Sequence, residues 1–133
     1  MQPAAQRSTS SGRILIADDE PHIRRILQTL LEMAGFEVDL RQDGTDALEA
    51  VRSSEHYDLI LLDIIMPGAT GLEVLGAIRG MDERKSTPVV ILTAKGQDTD
   101  RKAAFSLGAD DFLTKPFSPK KLLARIHQII DGD

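Results

Sequence analysis

The chain has 133 residues, 41% hydrophobic and 28% charged, with a formal net charge of −5; that length fits one domain able to bury a sizeable core. The acidic balance, with no basic run, leaves no electrostatic footprint for direct binding to nucleic acid or an anionic membrane. There is no cysteine, which excludes disulfides and thiolate zinc sites and makes a reducing compartment, the cytoplasm, the expected location.

Residues 1–12, MQPAAQRSTSSG, are small and polar, lack the hydrophobic stretch of a signal peptide, and read as a disordered leader. No apolar run approaches the roughly 18 residues of a membrane span. Arg13 to Ala17 reads as a first buried strand. Ile23, Ile26, Leu27, Leu30, Leu31 and Ala34 then have helical spacing, in a helix begun by Pro21 and closed by Gly35. FEVDLR alternates apolar and polar and suits a strand near the sheet edge. Asp43 and Gly44 turn the chain into a short helix around Ala47, Leu48 and Val51.

Leu59 to Leu62 is continuously apolar, as expected of a central strand buried on both faces. A loop, IIMPGATG, follows Asp63, and Thr70 and Glu73 have capping-box spacing ahead of LEVLGAI. Val89 to Leu92 is a second central strand. A weakly apolar helix is expected at about Thr99 to Leu107, its apolar positions mostly Ala with Phe105 and Leu107. Phe112 to Thr114 is a last strand, and Ser118-Pro119 opens a final helix carrying Leu122, Leu123, Ile126 and Ile129. The pattern is β-α five times over, a parallel α/β sheet without repeat, linker or second domain.

Asp18 and Asp19, Asp63, Thr93 and Lys115 each stand at the carboxyl end of one of these apolar runs, the edge at which open α/β sheets bind ligands. Taken singly, each has a plain reading: a solvated strand end, a loop N-cap, a β-former, a surface lysine. Their shared position argues for a site instead. Carboxylates this close repel and need a counter-charge; oxygen donors suit Mg²⁺, which keeps several waters and bridges carboxylate to phosphate. Lys115 supplies a second, mobile positive charge. Asp63 is then the expected phosphoryl acceptor, with Thr93 offering a hydroxyl donor. Pro116 makes a cis peptide after Lys115 affordable. His22, His56 and His127 show no metal spacing and are expected to be exposed. Arg24-Arg25 and Lys120-Lys121 read as solvated helix faces, and Met33, Met66 and Met81 as packing residues.

ILIADDEP, LILLDIIMPGATGLEVL, VVILTAK and GADDFLTKPFSP, in this order over about Arg13 to Gly132, resemble the receiver domain of two-component response regulators. The resemblance implies a receiver domain over 13–132 with a flavodoxin-like (βα)5 fold, a doubly wound five-stranded sheet of strand order 2-1-3-4-5; a receiver is the standard example of that order. It implies that Asp63 accepts phosphate from a histidine kinase or phosphotransfer protein, becoming an aspartyl phosphate. Asp19 would bind Mg²⁺ directly, Asp18 mainly through water, and the Ile65 backbone carbonyl would be a further ligand. Thr93 and Lys115 would contact the phosphoryl group, and Phe112 takes the switch-aromatic position. Phosphorylation would draw Thr93 inward, let Phe112 turn into the vacated space, and remodel the face of the fourth helix, last strand and last helix for an output partner. Ile65 and Lys95, two residues beyond Asp63 and Thr93, imply slow self-dephosphorylation. Asp110, Asp111 and Arg125 fit a homodimer's charge pattern on that face, but Ala103 and Lys121 replace an Arg and a Glu of it.

Other classes fit less well. The chain is not expected to be an enzyme beyond catalysing its own phosphorylation and slow dephosphorylation. A Mg²⁺-dependent phosphatase with an aspartyl nucleophile needs an acid where Ile65 stands. A flavin carrier needs a phosphate cradle where this chain has DDEP. A non-phosphorylated interaction module would not need the five site residues.

Overall fold

The computed structural model describes residues 12–132, so the expected leader lies, apart from Gly12, outside the described residues. Strands and helices alternate: β1 (Arg13–Ala17), α1 (Pro21–Met33), β2 (Glu37–Arg41), α2 (Gly44–Arg52), β3 (Leu59–Leu62), α3 (Gly71–Arg79), β4 (Val89–Thr93), α4 (Asp98–Ser106), β5 (Asp111–Thr114) and α5 (Pro119–Asp131). The strands form one parallel sheet in the order β2-β1-β3-β4-β5. This is the doubly wound, flavodoxin-like arrangement expected, with the alternating FEVDLR strand at an edge.

The two-residue period of a strand sends successive side chains to opposite faces, and two cores result. Ile14, Ile16, Leu59, Leu61, Val90 and Leu92 face α1 and α5, meeting Leu27, Leu31, Leu122 and Ile126. Leu15, Ala17, Ile60, Leu62, Val89, Ile91 and Phe112 face the other way, against Ala47, Val51, Val74, Leu75, Ile78 and Ala104 of α2, α3 and α4. Each buried aliphatic side chain contributes on the order of 1.5–3 kcal/mol, and the three central strands, buried along their lengths, are the layer that both helical faces share.

The helix ends follow local chemistry. At the end of α1, Phe36 N–H donates to the Leu31 carbonyl and Gly35 N–H to that of Glu32. Gly35 has φ of +96°, the left-handed value such a termination requires. Thr70 and Glu73 complete the capping box of α3, and the side chains of Asp43 and Ser118 cap α2 and α5. Arg84 ends α2 from a distance: buried, it donates to the carbonyls of Val51, Ser53 and Glu55 at 2.5, 3.0 and 2.6 Å and lies 4.8 Å over the Tyr57 ring.

Several expected positions differ. Met66 and Met81 pack as expected, but Met33 is 84% exposed. It lies two residues beyond Leu31, about 200° around the helix and so on the opposite face. Phe105 and Leu107 are exposed, and Ala104 alone anchors α4 in the core. His22 and His56 are exposed, whereas His127 is half-buried, its ring 5.5 Å from Phe36. Lys120 and Lys121 are solvated, but Arg24 is not.

Candidate functional site

The register of the sheet builds the site. Ala17 pairs with Leu62 across β1 and β3, so Asp18 and Asp63, each one residue further on, emerge together. Ladder hydrogen bonds run into these positions: Asp18 N–H donates to the Arg41 carbonyl, Asp63 N–H to Ala17 and Lys115 N–H to Thr93. The backbone is therefore fixed up to the residue bearing each functional group. Gly71 belongs to the same device, because a side chain there would collide with the Asp63 carbonyl.

Lys115 reaches across from β5 into the acids. Its Nζ is 2.8 Å from Asp18 Oδ2, 2.7 Å from Glu20 Oε1 and 3.0 Å from Asp63 Oδ2. The carboxylates of Asp18, Glu20 and Asp63 lie within 4.8 Å of one another, and Asp18 and Asp63 are buried. Burial pushes the Asp18 carboxyl above its ordinary value, against the pull of Lys115. Burial also opposes charge on Lys115, but its hydrogen bonds to Asp18, Glu20 and Asp63 outweigh that and hold the ammonium above its ordinary range. The Lys115 hydrogen bond lowers the Glu20 carboxyl. Lys115–Pro116 is cis.

Asp63 Oδ1 accepts from the Ile65 amide at 3.4 Å, and the buried Thr93 hydroxyl accepts from the Lys95 amide at 3.1 Å. Asp19, Glu20, Asp63, Ile65, Thr93, Ala94 and Lys95 line one open cavity of about 420 Å³. Asp19, exposed, thus borders the site while lying outside the three-carboxylate group. Ile65 is 57% exposed. The Lys95 ammonium is paired with Asp100 at 3.4 Å. Phe112 is only 2% exposed, with the Arg101 guanidinium 4.9 Å over its ring. Asp110 pairs with Arg79 and Asp111 with Arg125, both within the chain.

Two contributors were not expected. Glu20 stands in the DDEP stretch with no role assigned to it, yet it is one of the three acids on Lys115. Arg24 reads as a solvated helix position, but its guanidinium donates to the Asp18 carbonyl at 2.6 Å. A signal for Arg24 exists: it lies one helical turn beyond Glu20, where a long side chain folds back toward the helix start.

Among the described residues no helix is long and apolar enough to cross a membrane. The family model for the response regulator receiver domain matches residues 14–127. The transcriptional regulatory protein ResD of Bacillus subtilis is 42% identical over 122 residues, which cover 92% of this chain and 49% of that protein. The chain thus spans about half the length of the curated relatives it matches. Among solved structures, the chemotaxis response regulator CheY4 of Vibrio cholerae superposes with a TM-score of 0.82 at 32% identity, covering 88% of this chain and 97% of that one. The receiver domain of the sensor histidine kinase PA1611 of Pseudomonas aeruginosa, with a magnesium ion coordinated in its active site cleft, gives 0.84 at 28% identity, covering 92% and 99%. Sheet order, acidic cluster and these likenesses agree: the chain belongs to the response regulator receiver domain family of two-component systems.

Proposed function

We propose that Asp63 is the phosphoryl acceptor of this receiver and that its phosphorylation switches the surface of α4, β5 and α5. The observation that carries this reading is the single ammonium of Lys115 shared by Asp18, Glu20 and Asp63 at the carboxyl edge of the sheet. Two uncompensated negative charges remain there, and the donors are all oxygen, the chemistry of a hard divalent cation. Asp18, Asp19, Asp63 and the Ile65 carbonyl would hold Mg²⁺, with the receiver unit taken as 13–132. The ion would neutralise charge on the transferring group.

The donor is a phosphohistidine on a histidine kinase or phosphotransfer protein. An Asp63 carboxylate oxygen forms the bond to phosphorus as the phosphorus–nitrogen bond of the donor breaks, and the leaving imidazole takes up a proton. Lys115 stays against the oxygens that gather charge, and the Thr93 hydroxyl donates to one of them while still accepting from the Lys95 amide. The chain catalyses only this reaction on itself and the slow hydrolysis of the aspartyl phosphate, in which water attacks phosphorus and inorganic phosphate leaves the regenerated Asp63 carboxylate. The apolar, exposed Ile65 offers no group to orient a hydrolytic water, so Ile65→Asn should shorten the lifetime of the adduct. Because the relatives are named transcriptional regulatory proteins, output through a DNA-binding part of a longer regulator fits. The acidic receiver would then act by protein contact, through α4, β5 and α5 or through a homodimer on that face.

The test is incubation with acetyl phosphate and Mg²⁺ followed by intact mass. One phosphoryl group should be gained and should be lost in Asp63→Asn. If wild-type protein gains none with either a small-molecule donor or a phosphohistidine donor, the chain is a non-phosphorylated interaction module.

A further inference from the structure

Phe112 poses a difficulty for a switch in which an aromatic side chain swings inward. It is already buried and roofed by Arg101, so its rotamer has little left to gain. The element that is weakly held is α4, nine residues long, with Ala104 as its only buried side chain. Its first turn is held by the ion pair between Lys95 and Asp100. Asp100 Oδ2 is buried with no hydrogen-bond partner, so Lys95 at 3.4 Å is the counter-charge on which it depends.

Lys95 stands between two sites. It lines the acidic cavity with Asp63 and Thr93, and also a neighbouring cavity of about 330 Å³ with Ile65, Met66 and Asp100. Its amide is fixed on the Thr93 hydroxyl, while its side chain is 38% exposed and has rotamers to spend. The pair is open to solvent only at its lysine end, Asp100 being 15% exposed, so the ammonium can leave toward the cavity it shares with Asp63 while its loss is felt by the buried Asp100 carboxylate. An aspartyl phosphate carries up to two negative charges and several acceptor oxygens, against a single carboxylate on the other side.

We propose that Lys95 is a transferable cation: it pairs with Asp100 in the unphosphorylated chain, moves to the phosphoryl group on Asp63, and so releases the first turn of α4. This rests on the phosphoacceptor reading and deepens it, making Asp100 a positioning residue that competes with the phosphoryl group for one ammonium. Coupling of this kind is reciprocal. A phosphoryl group loosens the α4 start, and removal of the Asp100 charge tightens phosphoryl binding.

The test is titration of the Mg²⁺-containing protein with beryllofluoride, a phosphoryl mimic, followed by fluorine NMR. Asp100→Asn should bind the mimic about three- to tenfold more tightly, the scale of one part-buried ion pair. Asp98→Asn removes a charge from the same helical turn without touching Lys95 and should leave affinity unchanged, which separates competition from a loss of helix stability. Lys95→Met should weaken binding, and in that background Asp100→Asn should have no further effect. Hydrogen exchange at the first turn of α4 should accelerate on adding the mimic to wild-type protein and not to Lys95→Met. Equal affinities of wild type and Asp100→Asn, or equal effects of Asp98→Asn and Asp100→Asn, overturn the transfer while leaving the acceptor role of Asp63 standing. Failure of wild type both to bind the mimic and to gain a phosphoryl group overturns both.

Discussion

Replacing Lys115 with Met keeps most of the buried stem and removes only the charge. Asp18 and Asp63 are then two buried acids without a counter-ion, within 4.8 Å of one another. Coulomb's law with an effective dielectric of about 20 gives roughly 3 kcal/mol of repulsion for such a pair. The same scale, about 3–5 kcal/mol, attends removal of one partner from a buried ion pair. Glu20 adds little, being nearly half exposed. Lys115→Met should therefore lose about 3 kcal/mol near neutral pH. The sign of the pH dependence follows from Asp18. Its carboxyl is already raised by burial, and loss of the ammonium raises it further, so the folded variant binds a proton more readily than the unfolded chain. Stability of the variant then improves as pH falls from 7 toward the ordinary aspartate value of 3.8. Urea unfolding at about pH 7 and about pH 5, with and without Mg²⁺, reads this directly. The deficit relative to wild type should shrink at the lower pH and in Mg²⁺. A deficit of the same size at both values would show that the ammonium's charge is not what the site needs.

Arg84→Met should cost about 3 kcal/mol in urea unfolding, since the Val51, Ser53 and Glu55 carbonyls lose charged donors while an adjoining open cavity of about 640 Å³ lets water replace part of them. Tyr57, the single tyrosine, has its phenol pushed up from 10.0 to about 12 by burial and by the 2.5 Å hydrogen bond to Asp39. Because its folded value is raised, the stability that the neutral phenol contributes is complete below pH 10.0 and is lost as pH rises through about 12. An ultraviolet titration should place phenolate formation there and show it lowered in Asp39→Asn. Gly71→Ala should lower both stability and acceptor competence by displacing the Asp63 backbone, whereas Gly76→Ala, with nothing within 4 Å of the new methyl, should stabilise α3 by about 0.5–1 kcal/mol in thermal unfolding.

The strands were legible because the two sheet faces are each closed by helices, so that runs such as LILL have no polar position to hide. Helix ends were legible where the cap is local: Thr70 with Glu73, and Gly35 at its left-handed turn. Strand-end position alone groups Asp18, Asp63, Thr93 and Lys115, because parallel register carries adjacent strand ends to one edge. What sequence could not supply was the destination of long charged side chains. Arg84 and Arg24 look alike as surface residues, yet one seals α2 from 29 to 33 residues away in sequence and the other braces Asp18. Nor does sequence show that Lys95 pairs with Asp100 in the unphosphorylated chain. Met33 failed for a simpler reason, since helical phase puts it opposite Leu31.

The reach of Lys115 also governs when the site comes into existence. Its partners Asp63 and Glu20 lie 52 and 95 residues earlier in the chain. A growing polypeptide that has completed its first three strands already holds Asp18 and Asp63, but as mutually repelling acids without their cation. Ribosomal synthesis runs from the N-terminus at about 5–20 residues per second, so that state persists for seconds until β5 emerges. Loop closure over so long a separation is slow, and chemical competence arrives with the last strand rather than growing in parts. An incomplete nascent chain therefore cannot present a finished site.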